Sequence, residues 1–319
     1  MTQTLQAIVS SRRNETDAIA VFELRARDGG QLPPFTAGAH IDLYLPNGLV
    51  RSYSLTNDQN ERDRYVIGVA RDAASRGGSQ YVHEHLQAGT ELTIDHPRNN
   101  FALDENAPRS IFVAGGIGIT PILSMVRRLD QLGRPWTLHY CTRTRAHAAF
   151  LDELGASGAF RHGEVILRFD QEPGATMLDL DALAASAEPG THLYCCGPTP
   201  MLAAFESAVA ERPDCVGHVE YFANTQEAAT GGGYDVVLAK SQKTVAVPEG
   251  KSILDALLEA GIDAPYSCHE GVCGTCETRV LEGVPDHRDL VLSKSEHESG
   301  KVIMICVSGC KGKRLVLDM

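Results

Sequence analysis

The chain has 319 residues, 43% hydrophobic and 22% charged, with a formal net charge of −12. This composition suits two or three globular domains and excludes a disordered or fibrous chain. The acidic balance disfavours nucleic-acid binding, and no apolar run approaches the ~18–20 residues that span a bilayer, so a cytoplasmic protein with no nucleic-acid or membrane partner is expected.

Residues 1–105 alternate short apolar strands with Gly, Pro and Asn turns; examples are Ile19-Ala-Val-Phe-Glu-Leu24, His40-Ile-Asp-Leu-Tyr-Leu45 and Tyr65-Val-Ile-Gly-Val-Ala70. Regular strands of this kind predict an antiparallel β-barrel. In Arg51-Ser-Tyr-Ser-Leu55, strand alternation puts Arg51, Tyr53 and Leu55 on one face and Ser54 on the other. Taken alone, that is equally an ordinary strand with a surface arginine. Gly77-Gly-Ser79 precedes the helix-like Gln80–Leu86 and offers an anion-binding turn.

Residues 106–226 change rhythm. Short apolar strands at Ser110–Ala114, Trp136–Tyr140, Val165–Phe169 and His192–Cys196 alternate with helical stretches, the pattern of a parallel nucleotide-binding sheet. Phe112-Val-Ala-Gly-Gly-Ile-Gly-Ile-Thr-Pro121 runs from a strand into the amphipathic helix Ile122–Leu129. Gly115, Gly116 and Gly118 predict a tight turn that a pyrophosphate can approach, with Thr120 as helix cap and Pro121 in the first turn. The spacing differs from the Rossmann G-x-G-x-x-G, so another nucleotide fold is implied. Tyr194-Cys-Cys-Gly-Pro-Thr-Pro-Met201 is a second strand-to-helix turn. Cys196 stands there either over the ligand crevice or as a buried thiol.

Every lysine lies at or after Lys240, and this break follows Ala228-Ala-Thr-Gly-Gly-Gly233, so a linker is expected at 227–233. Beyond it, residues 234–319 open with a predicted hairpin (Tyr234–Leu238, Thr244–Pro248) and a helix over Ser252–Ala260 stopped by Gly261. This order fits a β-grasp domain. Cys268, Cys273 and Cys276 then follow the spacing C-x4-C-x2-C, with Cys306 later, which is the plant-type signature of a [2Fe–2S] cluster. Free thiols or zinc are the alternatives, but zinc favours paired C-x2-C or Cys/His spacings. Cys306 ends the apolar run Val302–Ile305, expected as a strand. Cys310 lies in an expected turn and is set aside as a ligand.

These motifs, in this order and over essentially the whole chain, resemble the phthalate dioxygenase reductase family of the ferredoxin-NADP+ reductase-like superfamily, which includes vanillate O-demethylase reductases. The resemblance implies a multi-domain α+β and α/β protein: a flavin-binding antiparallel β-barrel, a parallel-sheet nucleotide-binding domain and a C-terminal β-grasp ferredoxin. It implies that Arg51 meets a flavin phosphate, with Tyr53 and Ser54 along the ribityl chain and ring edge. Ser52, Val69 and Ala70 join this flavin set, and Gly77, Gly78 and Ser79 cradle the phosphate. Gly115, Gly116, Gly118, Thr120 and Pro121 would face the nicotinamide nucleotide, and Cys196, Gly197 and Pro198 its ring. Ser54 and Cys196 are the implied catalytic residues. Glu220 and Phe222 lie in Val219-Glu-Tyr-Phe222, which resembles the segment closing over the flavin; Phe222 is either a stacking residue or a plain core aromatic.

The implied cofactors are FMN rather than FAD, NADH rather than NADPH, and [2Fe–2S]. Arg143 and Arg145 either favour a 2′-phosphate or are simply solvated. The implied function is a reductase that passes electrons one at a time to a Rieske-type oxygenase. A self-contained oxidoreductase acting on a small acceptor, and an iron–sulfur redox sensor, are the alternatives.

Overall fold

The computed structural model describes residues 4–72, 77–156, 158, 160–224 and 226–319. The first region holds strands β1 (Thr4–Asn14), β2 (Ile19–Ala26), β3 (His40–Tyr44), β4 (Val50–Ser54), β5 (Tyr65–Ala70) and β6 (Glu91–Asp95), with helix α1 (Gly78–His85) before β6. They form one antiparallel sheet in the order β4-β3-β6-β1-β2-β5. The sheet curls until its edges meet: Leu55 bridges Ile67, and Thr56 N donates to Val66 O at 2.9 Å. Alternate residues, such as Phe22 and Leu24, Ile41 and Leu43, and Ile67 and Val69, fill the interior, as a period of two requires.

The second region holds β7 (Ser110–Gly115), α2 (Ile119–Gln131), β8 (Trp136–Thr142), α3 (Leu151–Gly155), β9 (Gly163–Phe169), α4 (Leu180–Ser186), β10 (His192–Cys196), α5 (Thr199–Ala210) and β11 (Val216–Glu220). The sheet is parallel, in the order β11-β10-β7-β8-β9. All of β7 and β8 is buried, as strands covered on both faces are. The chain leaves β7 toward β8 and leaves β10 toward β11, in opposite directions. A crevice therefore opens above the carboxyl ends of β7 and β10.

The protein divides into two compact units between Glu220 and Tyr221. The barrel and the parallel sheet lie in the same unit and share a core: Ile19, Val21, Val66 and Phe101 pack with Phe112, Ile122, Met125 and Phe150. Gly38 N donates to Ser124 Oγ at 3.0 Å, and Arg128 pairs bidentately with Glu105 at 2.7 and 2.8 Å.

The other unit holds β12 (Tyr234–Leu238), β13 (Lys243–Val247), α6 (Ile253–Glu259), β14 (Glu277–Glu282), β15 (Pro285–Asp286), α7 (Lys294–Ser299), β16 (Val302–Met304), β17 (Gly309–Cys310) and β18 (Arg314–Leu317). Its main sheet runs β13-β12-β18-β14-β16, with β12 and β18 parallel and the other pairs antiparallel. Helix α6 starts at a capping box formed by Ser252 and Asp255, and Gly261 follows it at φ 71°. This is the expected β-grasp.

Two local expectations fail. The strand before Cys306 stops at Met304, and Cys306 sits in a turn closed by Ser308 N donating to Met304 O at 3.0 Å. Gly309–Cys310 is strand rather than turn, because it pairs with β15, a partner remote in sequence. The small-residue stretch before β12 is also no free tether. Ala229 N donates to Val307 O at 2.7 Å, and Gly250 N to Thr230 O at 2.8 Å. A Cβ on Gly232 would meet the Pro248–Glu249 backbone at 2.3 Å. Among the described residues no helix is long and apolar enough to cross a membrane.

Candidate functional sites

Cys268, Cys273, Cys276 and Cys306 are buried, and none of the nine cysteines forms a disulfide. The thiol of Cys273 donates to Cys268, and that of Cys306 to Cys268 and Cys276, so the four sulfurs converge. Those thiols, joined by the Val272 and Cys273 amides, pull the Cys268 pKa far below the thiol range. Sharing a proton with Cys268 pushes Cys273 and Cys306 upward.

The loop is built to aim donors at sulfur. His269, Gly271 and Gly274 take φ of 57°, 69° and 76°, turning the backbone inward. Glu270 N lies 3.3 Å from Cys268 Sγ, and Thr275 Oγ1 lies 3.2 Å from Cys273 Sγ. A Cβ on Gly271 would meet Val307 Cγ2 at 2.5 Å, so glycine lets the loop close on the turn that carries Cys306. Four converging thiols with N–H groups directed at them suit a [2Fe–2S] cluster, whose irons are held by four cysteine thiolates. Cys310 stands apart, its sulfur engaged by Gly312 N at 3.2 Å and Arg314 O at 3.5 Å.

The two nucleotide turns lie side by side, because Ala114 on β7 pairs with Cys196 on β10. Their glycines serve mainly that contact. A Cβ on Gly115 would meet Pro198 Cδ at 2.6 Å, one on Gly118 would meet Cys196 O at 2.1 Å, and one on Gly197 would meet Met201 Sδ at 2.9 Å. Only Gly116, at φ 55°, has nothing within 4 Å of its Cβ position, so it alone of this set opens toward space a ligand can use. Thr120 is not the helix cap. A 3-10 turn at Gly116–Gly118 runs directly into α2, and Thr120 Oγ1 donates to Ile117 O at 2.9 Å. Thr120 and Pro121 are buried, and the Thr120 methyl faces Gly68 of the barrel.

Cys196 is fully buried, and burial, with Glu220 beside it, drives its thiol well above the usual range. It is a buried thiol rather than one standing open over the crevice. Glu220 is its register partner at the end of β11. Burial pushes the Glu220 carboxyl up to about 8, and its buried Oε2 has no hydrogen-bond partner among the described residues.

On the barrel, Arg51 lies across the start of α1. A Cβ on Gly78 would meet Arg51 Nε at 2.4 Å, and Gly77 turns the chain in at φ 89°. A guanidinium beside the first-turn N–H groups of an eight-residue helix is a cradle that suits a phosphate. Ser79 Oγ accepts from Asp72 N at 3.2 Å. Tyr53 is half-buried and Ser54 buried, paired across the sheet with His40. Ser52 points elsewhere, donating to the buried Asp42 at 2.6 Å, which Arg98 also engages at 2.5 Å. Val69 faces the barrel core, and its carbonyl takes a hydrogen bond from His83 at 2.9 Å, so its side chain offers nothing to a ligand; Ala70 is half-buried against the shared core. Arg145 lies over the Phe169 ring, 5.7 Å from its centroid. In the second unit, Phe222 is 40% exposed and so is not a core residue.

One contributor carried no sequence signal. Asp289 is buried behind the cysteine loop, where Leu290 N donates to Gly271 O at 2.9 Å and Ser308 Oγ donates to Asp289 Oδ1 at 3.3 Å. It ties the loop to the turn after Cys306 through contacts that no short motif encodes.

Two family models match this chain: the 2Fe-2S iron-sulfur cluster binding domain over residues 236–311 and the oxidoreductase NAD-binding domain over residues 112–207. The phenoxybenzoate dioxygenase subunit beta of Ectopseudomonas oleovorans is 54% identical over 305 residues, which are 95% of this chain and 93% of that protein. The tetrachlorobenzoquinone reductase of Sphingobium chlorophenolicum is 47% identical over 318 residues, 99% of this chain and 98% of that protein. The solved structure described as phthalate dioxygenase reductase, a modular structure for electron transfer from pyridine nucleotides to [2Fe-2S], superposes with a TM-score of 0.74 at 39% identity, covering 99% of this chain and 98% of that one.

Proposed function

The chain belongs to the phthalate dioxygenase reductase family of oxidoreductases, and from that premise we propose that it draws electrons from NADH through FMN and a [2Fe–2S] cluster and delivers them singly to a Rieske-type oxygenase or O-demethylase. We assign residues 1–105 to FMN, 106–226 to NADH and 234–319 to the cluster, with 227–233 between the last two. The observation that carries the proposal is the convergence of four buried thiols in a chain that also carries an NAD-binding domain.

Flavin, when bound, accepts a hydride and releases electrons one at a time, which is what joins a nicotinamide to a one-electron centre. The chain's own residues bind and orient. Arg51 and the α1 amides hold the phosphate, and Tyr53 and Ser54 line the flavin. Gly116 leaves room for the dinucleotide at the switch point between β7 and β10. Cys196 keeps its thiol proton and walls the crevice, while Glu220 holds a proton at its carboxyl up to about pH 8. Cys268, Cys273, Cys276 and Cys306 ligate the cluster, and the loop amides direct hydrogen bonds to its sulfurs.

Anaerobic mixing with NADH is expected to bleach the flavin absorbance first and the cluster absorbance second. Reversed order, or no bleaching, defeats the proposal. Ser54→Ala is expected to slow the first phase while leaving NADH affinity nearly unchanged; a change in affinity alone removes Ser54 from the role. A second reading, a self-contained reductase of a quinone-like acceptor, draws on the 47%-identical relative. Comparing NADH turnover with a quinone against turnover with a Rieske oxygenase and its aromatic substrate separates the two.

A further inference from the structure

His287, Asp289 and His297 form a cluster outside the four cysteines, with their ligand atoms all within 4.8 Å of one another. His287 Nδ1 lies 3.6 Å from Asp289 Oδ1, and His297 Nε2 lies 3.3 Å from Asp289 Oδ2. Ligands held at 2.0–2.2 Å around a tetrahedral ion sit about 3.3 Å apart, so each histidine lies near filled-site spacing from one oxygen of Asp289, and the three groups lie within 4.8 Å of one another.

The second observation concerns His287. Its side chain is 10% exposed, and both ring nitrogens are buried with no hydrogen-bond partner among the described residues. A buried imidazole left this way loses hydration without replacement, unless something supplies a bond. His297 stacks on it with ring centroids 4.4 Å apart. Two imidazoles in such contact cannot both be cationic without strong repulsion, so at least one is neutral and keeps a nitrogen lone pair that a cation can take. A cation between them satisfies all three groups.

Asp289 is fixed in the manner of a metal-binding carboxylate. Leu292 N and Val291 N donate to Oδ2 at 2.9 and 3.3 Å, and Ser308 Oγ donates to Oδ1 at 3.3 Å. His297, at 31% side-chain exposure, gives an ion its way in from solvent.

We propose that His287, Asp289 and His297 form a second metal site, distinct from the cysteine set, that takes a divalent first-row transition ion of the zinc type through two imidazoles and one carboxylate. Two nitrogens and one oxygen suit Zn2+ with a water in the remaining position, and disfavour Ca2+ and Mg2+, which demand oxygen. The ion would clamp α7 to the loop whose Leu290 holds Gly271. The inference does not depend on the electron-transfer reading.

The test uses the full-length holoprotein with its cluster absorbance intact. Zn2+ titration against a chromophoric chelator is expected to show one tight equivalent in the native chain and in Cys310→Ser, weakened at least tenfold in His297→Ala. Co2+ is expected to give ligand-field bands without thiolate charge-transfer absorption. His297 is the most exposed of the three, so its alanine variant is the one suited to folding with the cluster in place. If the native holoprotein takes up no zinc, if His297→Ala binds as tightly as native, or if Co2+ reports thiolate ligation, the proposed site is wrong.

Discussion

The cysteine loop and the first nucleotide turn are both rich in glycine, yet glycine does different work in each. In the loop, Gly271 and Gly274 adopt positive φ and bend the backbone around converging side chains. In the turn, Gly118 keeps an ordinary helical φ of −61° and is required only because the backbone of the neighbouring turn lies against it. The first site is made of side chains that the backbone presents. The second is made of backbone that side chains would obstruct. A glycine motif is therefore evidence of close approach, and the thing approached can be the protein itself.

The comparison can be broken most forcefully at the loop. Cys276→Ala is expected to abolish the cluster absorbance and delivery to a protein acceptor, while NADH-to-ferricyanide turnover persists because the other unit is untouched. Loss of both activities would mean that the two regions are not separable. At the turn, Gly118→Ala is expected to cost about 3 kcal/mol of stability in denaturant titration, since backbone cannot yield as a flexible side chain does. The cluster spectrum should remain.

Glu220 sharpens the contrast through pH. Its carboxyl keeps its proton in the folded state up to about 8, against an ordinary value of 4.5. Between those values the folded protein binds more protons than the unfolded chain, so this group makes stability fall as pH rises across that window. Glu220→Gln is expected to flatten the decline, read as denaturation midpoints at about pH 5 and pH 8. An unchanged slope would show that the carboxyl is solvated. The smallest effect is expected at Gly116→Ala, about 1 kcal/mol from its positive φ alone, with a larger rise in the KM for NADH than loss of stability. If Gly116→Ala and Gly118→Ala melt alike, the distinction drawn between them fails.

The convergence of Cys268, Cys273, Cys276 and Cys306 follows a spacing that the sequence shows directly, whereas the text around Arg51 reads by itself as an ordinary strand. Thr120 does not cap α2, because the 3-10 turn joining Gly116 to α2 leaves no break to cap. Ser52 sits inside the motif but spends its hydroxyl on Asp42, a partner set by the pairing of β3 with β4. Cys196 could be placed at a strand end from sequence, yet whether that end was open depended on what packed over it.

By itself the sequence determined the order of the three folding patterns, the spacing of the four cysteines and the strand-to-helix turns, since local periodicity and short-range spacing encode these directly. Tertiary structure alone decided that the barrel and the parallel sheet share one core, that the small residues before β12 are fastened to the sheet beside them, and that His287, Asp289 and His297 meet. Such facts depend on contacts between segments far apart in the chain, whose pairing is selected by the packing of the whole unit and leaves no mark on any one stretch of residues.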